Sequence, residues 1–172
     1  MNKTLVLTLA LALPLAATAA GNGAGKDSEF RTKAAQGGMA EVALGQIAAN
    51  KGSDPKIKEF GQHMVDDHSK ANDELKAIAQ KDGESLPSEP SKAQQDAAQK
   101  LGQKSGKDFD AAYAQMMVKD HEEDVALFKK EAASGQDPEL KQYASKTLPT
   151  LEQHLKMAKD LPEAGKGSSK KE

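Results

Sequence analysis

Three histidines lie at positions where the helical pattern of the sequence expects apolar side chains. His68 and His154 each occupy one place in an apolar run whose members alternate in steps of four and three residues. His121 has Met117 and Val125 four residues away on either side, so it also lies on an inward face or at its edge. Imidazole nitrogen is a ligand that divalent transition metals accept in proteins. The spacing therefore makes these three histidines candidate ligands of a metal ion.

Two acidic residues, Glu41 and Asp124, are predicted to lie at the same depth in the fold. Each is about 11 residues from the turn that follows its helix, and His121 and His68 are about 14 and 15 residues from theirs. At about 1.5 Å of rise per residue these four fall in one layer about 8 Å deep, with His154 one turn or more away. Buried carboxylate and imidazole need partners, because an unpaired buried charge is costly.

Two interpretations of this layer remain open. In the first, carboxylate oxygen and imidazole nitrogen bind a divalent ion of Fe, Mn or Zn, through Glu41, His68, His121, Asp124 and His154. In the second, Glu–His and Asp–His hydrogen bonds only fix the register of the helices. Di-iron bundles carry a glutamate one turn before the ligand histidine, but Val65 and Leu151 stand at those places. The bridging carboxylates of such centres are therefore missing.

No catalytic motif accompanies these residues. The acidic runs beside His68 (Asp66, Asp67) and around His121 (120–124) are spread around the helix axis, so most of their carboxylates are expected on a solvated face. The sequence contains no phosphate-binding glycine loop, nucleophile elbow or zinc-protease motif. We therefore predict that the protein is not an enzyme.

Four long helices are predicted to position this layer. They cover residues 28–50, 54–81, 107–133 and 137–161, and the second and fourth each begin with an Asp-Pro pair, a typical helix start. Residues 83–106 contain a short helix of their own and are long enough to carry the chain along the bundle. The expected fold is all-α: a ferritin-like four-helix bundle of two helical hairpins joined by a long crossover.

An internal repeat supports the two hairpins. Glu41-Val42-Ala43-Leu44 and the later Asp54-Pro55 recur as Asp124-Val125-Ala126-Leu127 and Asp137-Pro138, always 83 positions apart. We interpret this as two copies of one hairpin packed with pseudo-symmetry. Gly37, Gly38 and Gly45 on the first helix reduce its helix propensity, which predicts that another backbone packs closely there, from this chain or a partner.

The ends of the chain predict export. Residues 1–19 combine Lys3, an apolar stretch and small residues before a cleavage point, as secretory signals do. Residues 20–27 are expected to be a flexible lead-in, 28–161 the bundle domain and 162–172 a disordered polar tail. After signal cleavage no segment is predicted to span a membrane, and the location is predicted as periplasmic, with secretion as second choice.

The amino-acid composition limits the kinds of molecule that the protein is expected to bind. The chain has no Cys, so no disulfide stabilises it. Beyond Lys3 the remaining 23 basic and 26 acidic residues nearly balance, which argues against nucleic-acid binding. An envelope partner and the oligomeric state remain open.

Several segments together resemble the bacterial domain-of-unknown-function 4142 family. They are GMAEV (38–42), KGSDPKIKEFGQHMVDDHSKANDEL (51–75), DFDAAYAQMMVKDHEEDVALF (108–128) and DPELKQYASKTLPTLEQHLKMAK (137–159). The resemblance implies a ferritin-like bundle and export, and it implies no function. Our leading hypothesis is an exported, non-enzymatic, stress-related or envelope-associated binding protein. The alternative is a metal-binding protein that uses the inward Glu, His and Asp layer.

Overall fold

Five helices and no strands make up the part of the chain that the structure describes. A computed structural model describes residues 23–162, with side chains from residue 25 onward. The helices are α1 (Gly23–Lys51), α2 (Pro55–Lys81), α3 (Lys92–Gly102), α4 (Gly106–Ser134) and α5 (Pro138–Lys159). Within this range no helix has the length and apolar character needed to cross a membrane. The predicted signal segment and all of the predicted tail except Pro162 lie outside the described residues.

The first helix begins earlier than the sequence predicts. Residues 23–27, which we expected in a flexible lead-in, belong to α1. The reason is Asp27, which is only 4% exposed. Its carboxylate accepts hydrogen bonds from the backbone N–H groups of Gln136 and Asp137, at 2.7 to 3.2 Å. This anchor gives the start of α1 a tertiary contact that the local sequence does not reveal.

The starts of α2 and α5 follow the predicted local signals. The side chains of Asp54 and Asp137 accept backbone N–H bonds at the first turns of α2 and α5, and a proline follows each aspartate. Ser91 and Gln94 form a reciprocal capping box at the start of α3. The predicted short helix in the long connection is confirmed.

The helices pack in two antiparallel pairs, α1 with α2 and α4 with α5. Arg31 near the start of α1 bonds to Asp82 after α2, at 2.5 Å, and to Asp137 before α5, at 2.6 Å. These three helix ends therefore lie together. The connection 82–105 returns the chain to the other end of the bundle, where Asp110 of α4 contacts Ser53.

Each helix pair supplies a carboxylate that accepts hydrogen bonds from the turn of the other pair. Asp110, 2% exposed, accepts bonds from the backbone N–H groups of Ser53 and Asp54, at 2.9 and 3.0 Å. Asp27 does the same for Gln136 and Asp137 in the opposite turn. The two acceptors, Asp27 and Asp110, are 83 positions apart, and so are the corresponding donors. The sequence repeat is therefore also a repeat of contacts.

A polar layer separates two apolar clusters in the core. One cluster includes Leu44, Met64, Met117 and Ala158, and the other includes Ala35, Leu75, Val125 and Leu151. On each long helix a buried polar residue stands between a member of one cluster and a member of the other: Glu41, His68, His121 and His154.

The close backbone approach predicted for α1 lies within the chain itself. A Cβ atom added to Gly45 would lie 2.6 Å from the carbonyl oxygen of Gly61, and one added to Gly61 would lie 2.7 Å from that of Gly45. Both distances are too short for real side chains. The partner of α1 at this point is therefore α2.

Replacing Gly61 should destabilise the fold. We expect Gly61→Ala to lower the free energy of unfolding by about 1–3 kcal/mol, because two backbones must separate to admit the methyl group. Gly102→Ala is the control, since nothing lies within 4 Å of the added Cβ there. Urea unfolding followed by circular dichroism measures both. Equal stability of the two variants would contradict the close approach.

Candidate metal centre

Three buried histidines from three helices converge in the polar layer. His68 of α2, His121 of α4 and His154 of α5 are 5%, 0% and 3% exposed. Their ring centroids are 5.4 to 5.6 Å apart. One ring nitrogen of each lies within 4.8 Å of the others. Three nitrogens bound to one Zn²⁺ at 2.0–2.1 Å would be about 3.4 Å apart, so small ring movements would suffice to bind an ion.

Hydrogen bonds fix which nitrogen is free on two of the rings. His121 Nδ1 lies 2.9 Å from the carbonyl oxygen of Met117, and a carbonyl only accepts, so Nδ1 carries the proton. His154 Nε2 lies 3.2 Å from a carboxylate oxygen of Asp67, so that nitrogen donates. His121 Nε2 and His154 Nδ1 are therefore left with lone pairs. Both are buried without a hydrogen-bond partner among the described residues, and so is His68 Nε2.

Burial keeps these imidazoles neutral. It lowers the pKa of His121 to about 4 and that of His68 well below the ordinary value, and neighbouring imidazoles add to both effects. Burial also lowers the pKa of His154, although Asp67 opposes the change. Pairing with a carboxylate would raise an imidazole pKa, and for all three rings burial outweighs any such effect. Neutral imidazole is the form that binds metal.

The lowered pKa values set the direction of the pH dependence. Between about pH 4 and 6.5 the unfolded chain binds a proton at His121 that the buried ring does not. The contribution of His121 to the free energy of unfolding therefore falls as the pH drops through this window, and it is complete above pH 6.5. The lowered pKa values of His68 and His154 act in the same direction.

Glu41 and Asp124 lie beside the histidine cluster rather than within it. Glu41 Oε1 is 4.0 Å from His121 Nδ1, beyond hydrogen-bond distance, and that nitrogen already bonds to Met117. Burial and then the charge of Asp124 raise the pKa of Glu41 well above its usual range. Burial, followed by the charges of Asp120 and Glu123, raises the pKa of Asp124 to about 7. Among the described residues neither Glu41 nor Asp124 makes the predicted hydrogen bond to a histidine. The Asp–His pair found there is His154–Asp67, which the sequence did not predict.

His154 is nearer to the other histidines than its sequence position predicts. It lies 17 residues after Asp137, whereas His68 lies 14 residues before Asp82. Asp82 and Asp137 are at the same end of the bundle, so the offset is about 4.5 Å along a helix axis. Two imidazole side chains are long enough to cover that distance. Asp67 was missed for a different reason: its own helix places it toward solvent, and only the docking of α5 brings His154 to it.

Aromatic side chains close the cluster on one side. The ring of Phe60 packs edge-on against His121 and His154, with centroids 6.3 Å away in both cases. Tyr113 stacks on Phe109 and contacts Phe60. These rings exclude water from the imidazoles, which is the cause of the lowered pKa values.

Comparison with known proteins decides the family. The model of a domain of unknown function, DUF4142, matches residues 12–161. The chain belongs to the DUF4142 family. The resemblance drawn from the sequence segments is therefore confirmed, and no curated protein matches this DUF4142 chain.

Two solved structures share the fold of this DUF4142 protein. One is a DUF305 fragment from Deinococcus radiodurans, with a TM-score of 0.68 and 12% identity, covering 78% of this chain and 93% of that one. The other is a DUF305 protein from Streptomyces coelicolor whose description presumes secretion, with a TM-score of 0.66 and 15% identity, covering 78% and 90%. At these identities the likeness concerns the fold alone.

The internal repeat of the DUF4142 chain does not include its histidines. At a spacing of 83, His68 corresponds to Leu151, His121 to Gly38 and His154 to Ala71. The acids do obey the repeat, as Glu41 and Asp124. The repeat therefore includes the two acids, whereas the three histidines come together only in one half of the pseudo-symmetric core.

Replacing Asp124 should change how stability depends on pH. Its raised pKa means that the folded chain holds a proton that the unfolded chain loses between about pH 4 and 7, so the free energy of unfolding falls as pH rises through that window. We expect Asp124→Asn to remove this loss. Allowing for partial exposure, its advantage over wild type should be about 1–2 kcal/mol larger at pH 8 than at pH 5. Urea unfolding at both pH values measures it, and a constant difference would contradict the raised pKa.

Proposed function

We propose that this protein binds one late divalent transition metal ion, Zn²⁺ above all, through His68, His121 and His154. The observation that carries the proposal is that three buried, neutral imidazoles bring one nitrogen each within 4.8 Å. Each ring also has a buried nitrogen without a partner. A buried polar group without a hydrogen bond costs about 1–3 kcal/mol, and one metal ion would satisfy all three.

The ligand set favours some metals over others. Imidazole suits Zn²⁺ and Cu²⁺, whereas Mn²⁺ prefers carboxylate oxygen. The Glu41 and Asp124 carboxylates lie outside the cluster, and the glutamates of di-iron centres are absent from the expected positions. Of the three metals suggested by the sequence, zinc therefore receives the most support and manganese the least.

The surroundings of the rings also support a metal centre. The Met117 carbonyl and the Asp67 carboxylate each accept the proton of one imidazole, which leaves the other nitrogen as the donor atom. Such partners commonly orient histidine ligands in metal sites. A cavity of only about 10 Å³ borders His68, room for about one water. The arrangement fits binding of an ion better than turnover of a substrate.

The place of action that we propose is the periplasm. The signal-like segment 1–19 supports export, and no described helix is fit to span a membrane. The order of the helices, with a long connection between two antiparallel pairs, supports the ferritin-like classification as part of this proposal. Our proposal thus adopts the alternative drawn from the sequence, a metal-binding protein, and keeps the exported, non-enzymatic role of the leading hypothesis.

Zinc titration of metal-free protein tests the proposal. We expect about one equivalent to bind to wild type and affinity to fall at least 100-fold in His68→Leu and His154→Ala. These replacements copy Leu151 and Ala71, which fill the corresponding positions in the other half of the core. His63→Ala is the control, because His63 is exposed on the same helix as His68. Calorimetry measures affinity, and circular dichroism checks folding. A wild-type protein that binds neither Zn²⁺ nor Cu²⁺, or unchanged affinity in both core variants, would refute it.

A further inference from the structure

A cavity with an acidic wall lies next to the histidine cluster. It has a volume of about 580 Å³ and is lined by residues of α1, α3 and α4. Four carboxylates and one lysine contribute to its wall: Glu41, Asp120, Glu123, Asp124 and Lys119. We call it the acidic cavity. Lys119 lies 3.4 Å from Glu123, so three of the four carboxylates have no cationic partner within the described residues.

Glu41 connects the acidic cavity with the cluster. Its side chain is 3% exposed, and its Oε2 atom is buried without a hydrogen-bond partner. Its other oxygen lies 4.0 Å from His121 Nδ1. Because burial raises its pKa, this unpartnered carboxyl group keeps its proton, and it gives the proton up when a cation arrives beside it.

Asp124 makes a second connection. It lines the acidic cavity and also the cavity of about 10 Å³ that borders His68. The Gly37 and Gly38 backbone faces the same region, and a Cβ on Gly37 would lie 3.6 Å from Asp124 Oδ1. No histidine lines the acidic cavity. Glu41, which lies beside His121, and Asp124, which also lines the small cavity that borders His68, connect it with the cluster.

We propose that the acidic cavity is the entry site through which a divalent cation reaches the three histidines. This inference rests on the proposed function. Above the pKa of Asp124, which is about 7, the carboxylates in this concave site concentrate cations, and such fields raise association rates by about 10–1,000-fold. Imidazole binds Zn²⁺ or Co²⁺ through a softer atom than carboxylate oxygen does, so an ion collected at Glu41 and Asp124 passes on to the histidines.

The other large cavity lacks these properties. It has a volume of about 500 Å³ and lies against α1, α2 and residues 84–88. Its charged lining residues are Asp73, Lys76 and Glu84, and neither Glu41 nor Asp124 borders it. Asp73 is exposed, so Asp73→Asn removes the same charge without touching the proposed entry.

The rate of cobalt loading tests the inference. Metal-free wild type, Glu41→Gln, Asp124→Asn, the double variant and Asp73→Asn are mixed with Co²⁺, and the visible absorption of the bound ion is followed by stopped flow. We expect the association rate constant to fall at least 10-fold in the double variant and to depend less on salt. The final stoichiometry and spectrum should not change, and Asp73→Asn should load like wild type.

Two results would overturn the entry role and leave the metal centre intact. One is an unchanged association rate in the double variant, and the other is a changed final spectrum, which would make the carboxylates ligands. A wild-type protein that binds no cobalt would instead refute the centre itself, and the entry role with it.

Discussion

Saturating zinc should raise the melting temperature of the wild-type protein by about 10 °C. At a free zinc concentration 1,000-fold above Kd, binding to the folded state alone adds about 4 kcal/mol to the free energy of unfolding. For a domain of this size each kcal/mol corresponds to about 2–4 °C. The effect is large because the three ligands come from three helices, so the unfolded chain offers no equivalent site.

Differential scanning calorimetry with and without zinc measures this shift. His63→Ala should respond as wild type does, and His68→Leu should show a shift below about 2 °C. The metal-free His68→Leu protein should be as stable as metal-free wild type or more stable, because an unpartnered buried nitrogen is replaced by an apolar side chain. A full zinc shift in His68→Leu would show that the stabilising site lies elsewhere.

Removing the Asp110 carboxylate should cost about 2–3 kcal/mol of unfolding free energy. Asp110 accepts two backbone N–H bonds, from Ser53 and Asp54, and a bond from the Ser53 hydroxyl. Hydrogen bonds to a charged acceptor are each stronger than neutral ones, and the carboxylate also lies at the N-terminus of α2, where negative charge is favourable. Asp110→Ala loses all of these.

Urea unfolding of three variants measures the loss. Asp27→Ala should be destabilised to a similar degree, because Asp27 occupies the corresponding place at the start of α5. Asp108→Ala is the matched control: Asp108 is exposed one turn or less from Asp110, and its loss should cost below about 1 kcal/mol. If Asp110→Ala and Asp108→Ala were equally stable, the contact between the two helix pairs would not contribute to the free energy of unfolding.

Helix positions could be predicted from the sequence because their signals are local. Asp54-Pro55 and Asp137-Pro138 mark helix starts by a side-chain cap and a fixed backbone angle, and both act within a few residues. The start of α1 could not be predicted in this way, since Asp27 is held by Gln136 and Asp137, more than 100 residues away.

The sequence could predict which histidines belong to the candidate site, but not that they converge. The inward positions of His68, His121 and His154 follow from helical spacing, and all three are buried. Their convergence depends on how α5 slides along α2, which no local pattern records. The role of Asp67 depends on the same docking. Conversely, Glu41 and Asp124 were predicted in the same layer because of their depth along the helices, and the structure places them beside the cluster.

The three histidines are divided between the two helix pairs, one in the first and two in the second. Neither pair alone holds all three ligands of the proposed centre, so we expect affinity for metal only when the halves are joined. A chain that crosses a membrane unfolded would accordingly arrive empty and take its ion from the compartment in which it folds. Bound metal would then lock the halves together, and anything that parts them would release it.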